Sequence, residues 1–315
     1  MNTLPQELDR YLTIRCSLGY DLRTSARVLR RFVAFAEKED ADHITTELFL
    51  RWQDAFGHAH RETWAARLGM VRLFAKWLHG IDSRNEVPPQ ALIPARYRRS
   101  RPYIYSREEI RRIIHGAAEL PSIYGLRGLT CATLFGLIAV TGMRVSEAIS
   151  LDVRDVDLKS GVLTIRRGKL GKARLLPLSN SAKAHLAAYA KEGHRLQGGH
   201  PEAFFRSERG GRLTDCCARY NFAVVCKGIG LRPVQKFHRH GRGPRIHDLR
   251  HTFAVHTLLN WYRTGRDAAR EMIKLTTYLG HTNPVHTYWY IEAVPELLEL
   301  ASRRASASLS REVRV

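Results

Sequence analysis

Arg245-Ile246-His247-Asp248-Leu249-Arg250-His251-Thr252-Phe253-Ala254 is the stretch on which the reading of this chain turns. On a helix, His247 and Arg250 lie three apart and share a face, so an imidazole and a guanidinium can meet one phosphate together. Leu249, Phe253 and Val255 are left to bury the other side. Downstream, Leu279-Gly280-His281 places a second histidine after a helix-ending glycine, and Tyr288-Trp289-Tyr290 supplies phenolic oxygens within nine residues of it.

Working back toward the N-terminus, Leu129, Leu134, Phe135, Leu137, Ile138 and Val140 predict a buried helix over residues 127–140 that is too short to span a membrane. It delivers Thr141-Gly142-Met143-Arg144-Val145-Ser146-Glu147. Gly142 breaks the helix, and Arg144 emerges at the start of the next, where its guanidinium and nearby backbone N–H groups can address an anion. Glu147, three residues on, is placed to orient Arg144. Next, Gly161-Val162-Leu163-Thr164-Ile165-Arg166-Arg167 and Ala173-Arg174-Leu175-Leu176-Pro177-Leu178 alternate as strands, joined by Gly168-Lys169-Leu170-Gly171-Lys172. This is a hairpin with lysines at its tip. A hairpin lysine is ordinarily solvated; the surrounding motifs are what single out Lys169.

Composition sets the class of partner. Lys+Arg 51 against Asp+Glu 30 gives a net charge of +21, and a pI near 10.3 points to a polyanion, with nucleic acid ahead of a membrane surface. No apolar run is long enough to span a bilayer, and no basic amphipathic tail has a strong apolar face. Five cysteines without a CxxC indicate neither a zinc knuckle nor a disulfide framework. With no signal peptide expected, the setting predicted is reducing and cytoplasmic, in association with the nucleoid.

The 315 residues suit two domains. Residues 1–95 read as four helices, whose recurring aromatics (Phe32, Phe49, Trp52, Trp64, Phe74 and Trp77 among them) form one core stripe. Prolines 88, 89, 94 and 102 with Arg96, Arg98, Arg99 and Arg101 make residues 96–105 a basic linker, able to strap a duplex. A second domain follows over 106–301, opened by a capping box at Ser106 and Glu109. Within it, helices are expected from Ser179 to Ala190 and from Asp215 to Ile229, with a short strand at Phe204-Phe205. A basic loop carrying Arg239, Arg242 and Arg245 is expected at a DNA surface. Residues 302–315 read as a flexible tail. The fold class is therefore mainly α with a small antiparallel β-sheet (α+β).

At Thr141 to Glu147, at His247-Asp248-Leu249-Arg250-His251, and at Leu279-Gly280-His281 followed by Tyr290, the sequence resembles the tyrosine site-specific recombinases, the phage integrase family. The lysine-bearing hairpin is similar to that family's own, and the likeness covers roughly residues 106–298. The resemblance implies an N-terminal helical core-binding domain and a C-terminal catalytic domain. Arg144 and Arg250 would clamp the scissile phosphate, Lys169 would protonate the leaving 5′ oxygen, His247 would manage the nucleophile's proton, and His281 would hydrogen-bond the phosphate. Tyr290 would attack and leave a 3′-phosphotyrosyl bond, with Glu147 in support. Tyr288 is a rival nucleophile, and Lys172 a rival to Lys169; Tyr290 is preferred for its spacing from His281 and Thr287, Lys169 for following Gly168. Duplex contacts are expected from Arg96, Arg98, Arg99, Arg101, Lys172, Arg239, Arg242 and Arg245.

The chemistry stands on its own terms. A phosphodiester transition state gathers negative charge on equatorial oxygens, which fork-shaped guanidiniums complement better than mobile ammoniums. The tyrosyl ester stores the energy of the broken bond, so neither metal nor nucleotide is expected as cofactor. The partners implied are double-stranded DNA with specific sites and a homo-tetramer, or a hetero-assembly with sister recombinases. The length leaves no room for an arm-binding domain, which favours recombinases of mobile elements or of chromosome-dimer resolution. Leu297, Leu298 and Leu300 are expected to dock on a neighbouring subunit. Competing readings are a type IB topoisomerase, a non-enzymatic DNA-binding regulator, and a metal site on His247 and His251; the last is a poor site for a dication, with Arg250 adjacent and no glutamate between the histidines.

Overall fold

The computed structural model describes residues 3–95, 101–166, 173–199, 201–233, 243–281 and 283–312. The chain forms two compact units, Met1–Ser100 and Arg101–Val315. Lys169, Lys172, Arg96, Arg98, Arg99, Arg239 and Arg242 lie outside the described residues.

The first unit is built from α1 (Leu4–Ser17), α2 (Arg23–Lys38), α3 (Thr46–Ala55) and α4 (Arg61–His79). Thr45 starts α3 by accepting the Leu48 N–H at 3.0 Å, which satisfies one of the helix's orphan donors. The aromatic stripe is core: Phe32, Phe49, Trp52, Trp64 and Phe74 are buried, and Trp52 meets Trp64 edge-to-face with ring centroids 5.2 Å apart. The arginines of this unit lie outside that core, with Arg23, Arg27, Arg30, Arg31 and Arg61 exposed.

In the second unit the Ser106–Glu109 capping box starts α5 (Arg107–Ala118), with both reciprocal hydrogen bonds formed at 3.1 and 2.7 Å. The apolar α6 (Leu126–Thr141) is the central helix, packed by α5, by α8 (Asn180–Gln197) and by α10 (Ile246–Arg263). A five-residue α7 (Val145–Ile149) follows α6. The sheet is antiparallel in the order β1 (Val156–Asp157), β2 (Val162–Ile165), β3 (Arg174–Pro177), with Ile165 opposite Arg174. Leu163, Ile165 and Leu176 turn inward, so the hairpin's alternation fixes which face carries the core. The chain continues through α9 (Asp215–Gly228), α11 (Ala268–Leu279), α12 (Val285–Ala293) and α13 (Pro295–Glu312).

Several expectations need correcting. Tyr105, assigned to the linker, is buried in the second unit, its N–H donating to Thr252 Oγ1 and its hydroxyl to the Arg245 carbonyl, both at 3.0 Å. Phe204 and Phe205 pack as core side chains between two isolated bridges, Asp152 with Ala203 and Arg206 with Arg212, rather than as a strand. Helix α8 runs to Gln197, past the expected end at Ala190, and helix α13 continues past Ser302, where a flexible tail was expected. Leu297 is buried with Tyr290 in its own unit and Leu300 packs against the same cluster, leaving Leu298 exposed, so these leucines are not one free face.

Gly142 ends α6 in the left-handed region at φ +62°, and a Cβ there would stand 2.4 Å from Phe253 Cδ1. Gly142→Ala therefore meets both backbone strain and a ring on α10 that is already packed. It is expected to lower unfolding free energy by about 2–4 kcal/mol in a denaturant titration.

Candidate active site

Helix α11 ends at Leu279, and Gly280 (φ +66°) turns the chain so that the His281 N–H returns to the Thr276 carbonyl at 3.0 Å. The last carbonyls of a helix have no partner within it and carry the negative end of its dipole. Here three arginines supply the donors. Arg174 Nε donates to the Tyr278 carbonyl at 3.0 Å, Arg250 Nη2 to Leu279 at 2.7 Å, and Arg144 Nη2 to Gly280 at 3.0 Å. Three guanidiniums from α10, from the N-terminal edge of α7 and from β3 are thus gathered on three successive carbonyls.

Glu147 offsets part of this charge. Its buried carboxylate receives Arg174 on both oxygens, at 3.0 and 2.8 Å, and Arg144 Nη1 at 2.6 Å. It also accepts the Arg144 backbone N–H at 2.9 Å, so that N–H is occupied and is not offered to an anion, contrary to expectation. Burial pushes the carboxyl up, but the Arg174 hydrogen bonds, the Arg144 N–H and the two cations outweigh it and hold the group down at about 2. Arg174 escaped the sequence reading because an arginine in an alternating strand looks like an ordinary outward residue. The usable signal was Gly280, whose absent Cβ would stand 2.8 Å from Arg174 Nη1.

Because the folded carboxyl lies below its ordinary value, its contribution to stability is complete above about pH 4.5 and is lost as the pH falls toward about 2. Arg174→Gln removes the strongest of the lowering partners, and burial then raises the Glu147 carboxyl. The variant is expected to lose on the order of 3 kcal/mol at pH 7. Its acid unfolding, followed by circular dichroism, should begin at higher pH than the parent's.

Arg250 is 2 % exposed and completes its fork by donating Nη1 to the Gly142 carbonyl at 2.8 Å. Burial, then the nearby Arg144, brings its pKa down to about 10, which leaves it charged at neutral pH. Arg144 is held less deeply, its side chain 19 % exposed. His247, one turn before Arg250, is pushed down to about 4 by burial and by Arg250, Arg245 and Arg144, so it is a neutral imidazole at pH 7. Arg245 caps α10 with Asp248, its N–H to Oδ2 at 2.8 Å and its Nη2 to Oδ1 at 3.1 Å, while half of its side chain faces solvent. Arg101 is exposed. His281 is fixed through Nδ1 to Thr287 Oγ1 at 2.7 Å, and Thr287 meets Thr276 Oγ1 at 3.0 Å.

Tyr290 is buried, and its hydroxyl lies 2.8 Å from His251 Nδ1. His247, expected to manage the nucleophile's proton, stands edge-to-face against His251 with ring centroids 4.7 Å apart. Arg250 feels the phenol electrostatically. Tyr288, the rival, is 46 % exposed. Among the described residues, then, Arg144, Glu147, His247, Arg250 and Tyr290 gather with Arg174 and His251 beside the α11 terminus from which His281 projects. Three guanidiniums face one carboxylate there, an excess of positive charge suited to a phosphate.

Residues 105–296 match the family model described as the phage integrase family. The putative integrase/recombinase y4rB of Sinorhizobium fredii is 42% identical over 310 residues, covering 96% of this chain and 97% of that relative. Tyrosine recombinase XerC of Bacillus subtilis is 28% identical over 265 residues, covering 82% and 79%. Among solved structures, a lambda integrase tetramer bound to a Holliday junction shares the fold at a TM-score of 0.61 and 19% identity, covering 90% of this chain and 79% of that one.

Proposed function

The chain belongs to the phage integrase family of tyrosine recombinases, enzymes that cleave and rejoin DNA, and from that membership we propose that it exchanges strands between specific DNA sites through a 3′-phosphotyrosyl intermediate. Tyr290 attacks the scissile phosphorus, the P–O5′ bond breaks, and a 5′-hydroxyl is released. Arg144 and Arg250 address the two non-bridging oxygens, where charge accumulates in the transition state. His247 and His281 hydrogen-bond the phosphate, and Lys169 protonates the departing 5′ oxygen. Glu147, and Arg174 through it, position Arg144. Arg101 and Arg245, with Arg96, Arg98, Arg99, Lys172, Arg239 and Arg242, meet the duplex backbone, and the two units form the core-binding and catalytic domains.

The observation that carries this reading is the pair of guanidiniums locked on the Leu279 and Gly280 carbonyls. Preorganised donors of this kind cost no reorganisation when the pentavalent phosphorus forms. Because the ester keeps the energy of the broken bond, any 5′-hydroxyl that reaches it can reseal the strand, so the reaction consumes neither metal nor nucleotide. Exchange between two sites calls for four active sites, supplied by a tetramer on DNA. The role proposed is integration or excision of a mobile element, in keeping with the integrase/recombinase name of y4rB.

The test is a plasmid carrying two copies of the DNA that flanks the element, incubated with the protein in chelator and without nucleotide. Recombinant circles are the expected product. Relaxation of any supercoiled plasmid, with no recombinants, would instead identify a type IB topoisomerase.

A further inference from the structure

Resting on the assignment of Tyr290 as nucleophile, we infer that His251, and not His247, is the acceptor of its proton. The phenol hydroxyl and His251 Nδ1 are 2.8 Å apart, both residues are buried, and the ring planes are inclined by 61° with centroids at 5.5 Å. A general base must stand within hydrogen-bond reach of the proton it takes, and this imidazole does so before DNA arrives. His247 is one helical turn back and stands edge-to-face against the His251 ring. Arg250 precedes His251 in the chain, and its charge is felt at the Tyr290 phenol, so the phenolate forming there has a compensating charge while the proton sits on the imidazole.

His251 carries its proton on Nε2 and accepts at Nδ1 the proton of Tyr290 Oη. The phenolate oxygen bonds to phosphorus, the P–O5′ bond breaks, and the 5′ oxygen takes a proton from Lys169. In religation the 5′ oxygen bonds to phosphorus as its hydroxyl proton returns to Lys169, the Tyr290 Oη–P bond breaks, and His251 gives its proton back to the departing phenolate. The imidazole ends each cycle neutral.

His251→Asn is the informative variant, because its amide oxygen stands near the place of Nδ1 and keeps a hydrogen bond to the phenol but cannot take a proton. Single-turnover formation of the covalent complex on a nicked duplex of the flanking DNA should slow by about 10²–10³-fold, with DNA affinity unchanged. Putting 3,5-difluorotyrosine, a more acidic phenol, at position 290 should restore at least about a tenth of the lost rate in the His251→Asn chain, measured against the parent chain carrying the same fluorinated phenol. A substrate with sulfur at the bridging 5′ position, whose leaving group needs no proton, should rescue Lys169→Ala and leave His251→Asn slow.

The inference is overturned if His251→Asn cleaves within about threefold of the parent, if the fluorinated phenol restores nothing, or if the bridging sulfur restores the rate. Should His251→Asn fail to fold, His251→Gln is put through the same three measurements and judged by the same results. A covalent complex still formed by Tyr290→Phe would bring down the nucleophile assignment itself. Loss of the complex in that variant, together with full activity of His251→Asn, would remove only the role of His251.

Discussion

Tyr290→Phe is expected to bind its DNA and form no covalent complex, a fall in cleavage of at least the order of 10⁴-fold, since no other group supplies the attacking oxygen. The substitution leaves the ring in place and deletes one hydroxyl, so the fold should survive with a loss near 1 kcal/mol for the missing hydrogen bond to His251. The control is Tyr288→Phe. Tyr288 sits on the same helix, but its side chain is exposed, and its hydroxyl can be removed with little effect on cleavage or stability. A denaturing gel that resolves the protein–DNA adduct reads both variants side by side. An adduct of normal yield from Tyr290→Phe would contradict the account.

Arg250→Ala carries the second large effect, and it acts on two levels. The lost charge should slow cleavage by about 10²–10³-fold, as removal of one preorganised donor does elsewhere. The same deletion leaves the Gly142 and Leu279 carbonyls without their donor, at about 1–3 kcal/mol each where no water replaces it. Arg250→Lys separates the two. An ammonium restores the charge but cannot reach both carbonyls in the fixed geometry of a fork. It should recover part of the stability in a urea titration and little of the rate. Cleavage by Arg250→Ala within tenfold of the parent would show that the scissile phosphate is not bound there.

The four N-terminal helices and the capping box at Ser106 were legible because their signals are local: a 3.6-residue apolar stripe and a serine three residues before a glutamate. Local too were the left-handed Gly142 and Gly280, which stop α6 and α11 and present the carbonyls that seat Arg250 and Arg144. What escaped was non-local. Of helix α11 only the end at Gly280 was expected, and its last turn contains no basic residue of its own, so nothing in Ala268–Leu279 says that three distant arginines complete it. Arg174 reads as a strand residue until β3 is laid beside α7.

His251 illustrates the same limit from within the deciding stretch. Four residues after His247 it suggested a metal pair, and only the fold shows its Nδ1 against Tyr290, thirty-nine residues on. Helix α10 explains why the motif was hard to apportion. It is buried on most of its circumference, Asp248, Arg250, His251 and Thr252 included, so its polar residues do not divide into an inner and an outer face. Periodicity identifies which side chains share a helix side. It does not identify which side chain from another helix will meet them.

In the chemistry proposed for this chain, these cations surround one phosphorus atom within reach of the Tyr290 oxygen. The most direct measurement is to trap the covalent adduct on a nicked duplex of the flanking DNA, digest it, and locate the modified residue by mass spectrometry. A single 3′-phosphoryl modification on Tyr290 is expected, its formation strongly slowed when Arg144 or Arg250 is replaced by alanine. Modification of Tyr288 or of any other residue, or an adduct that forms equally well without both arginines, would contradict that chemistry.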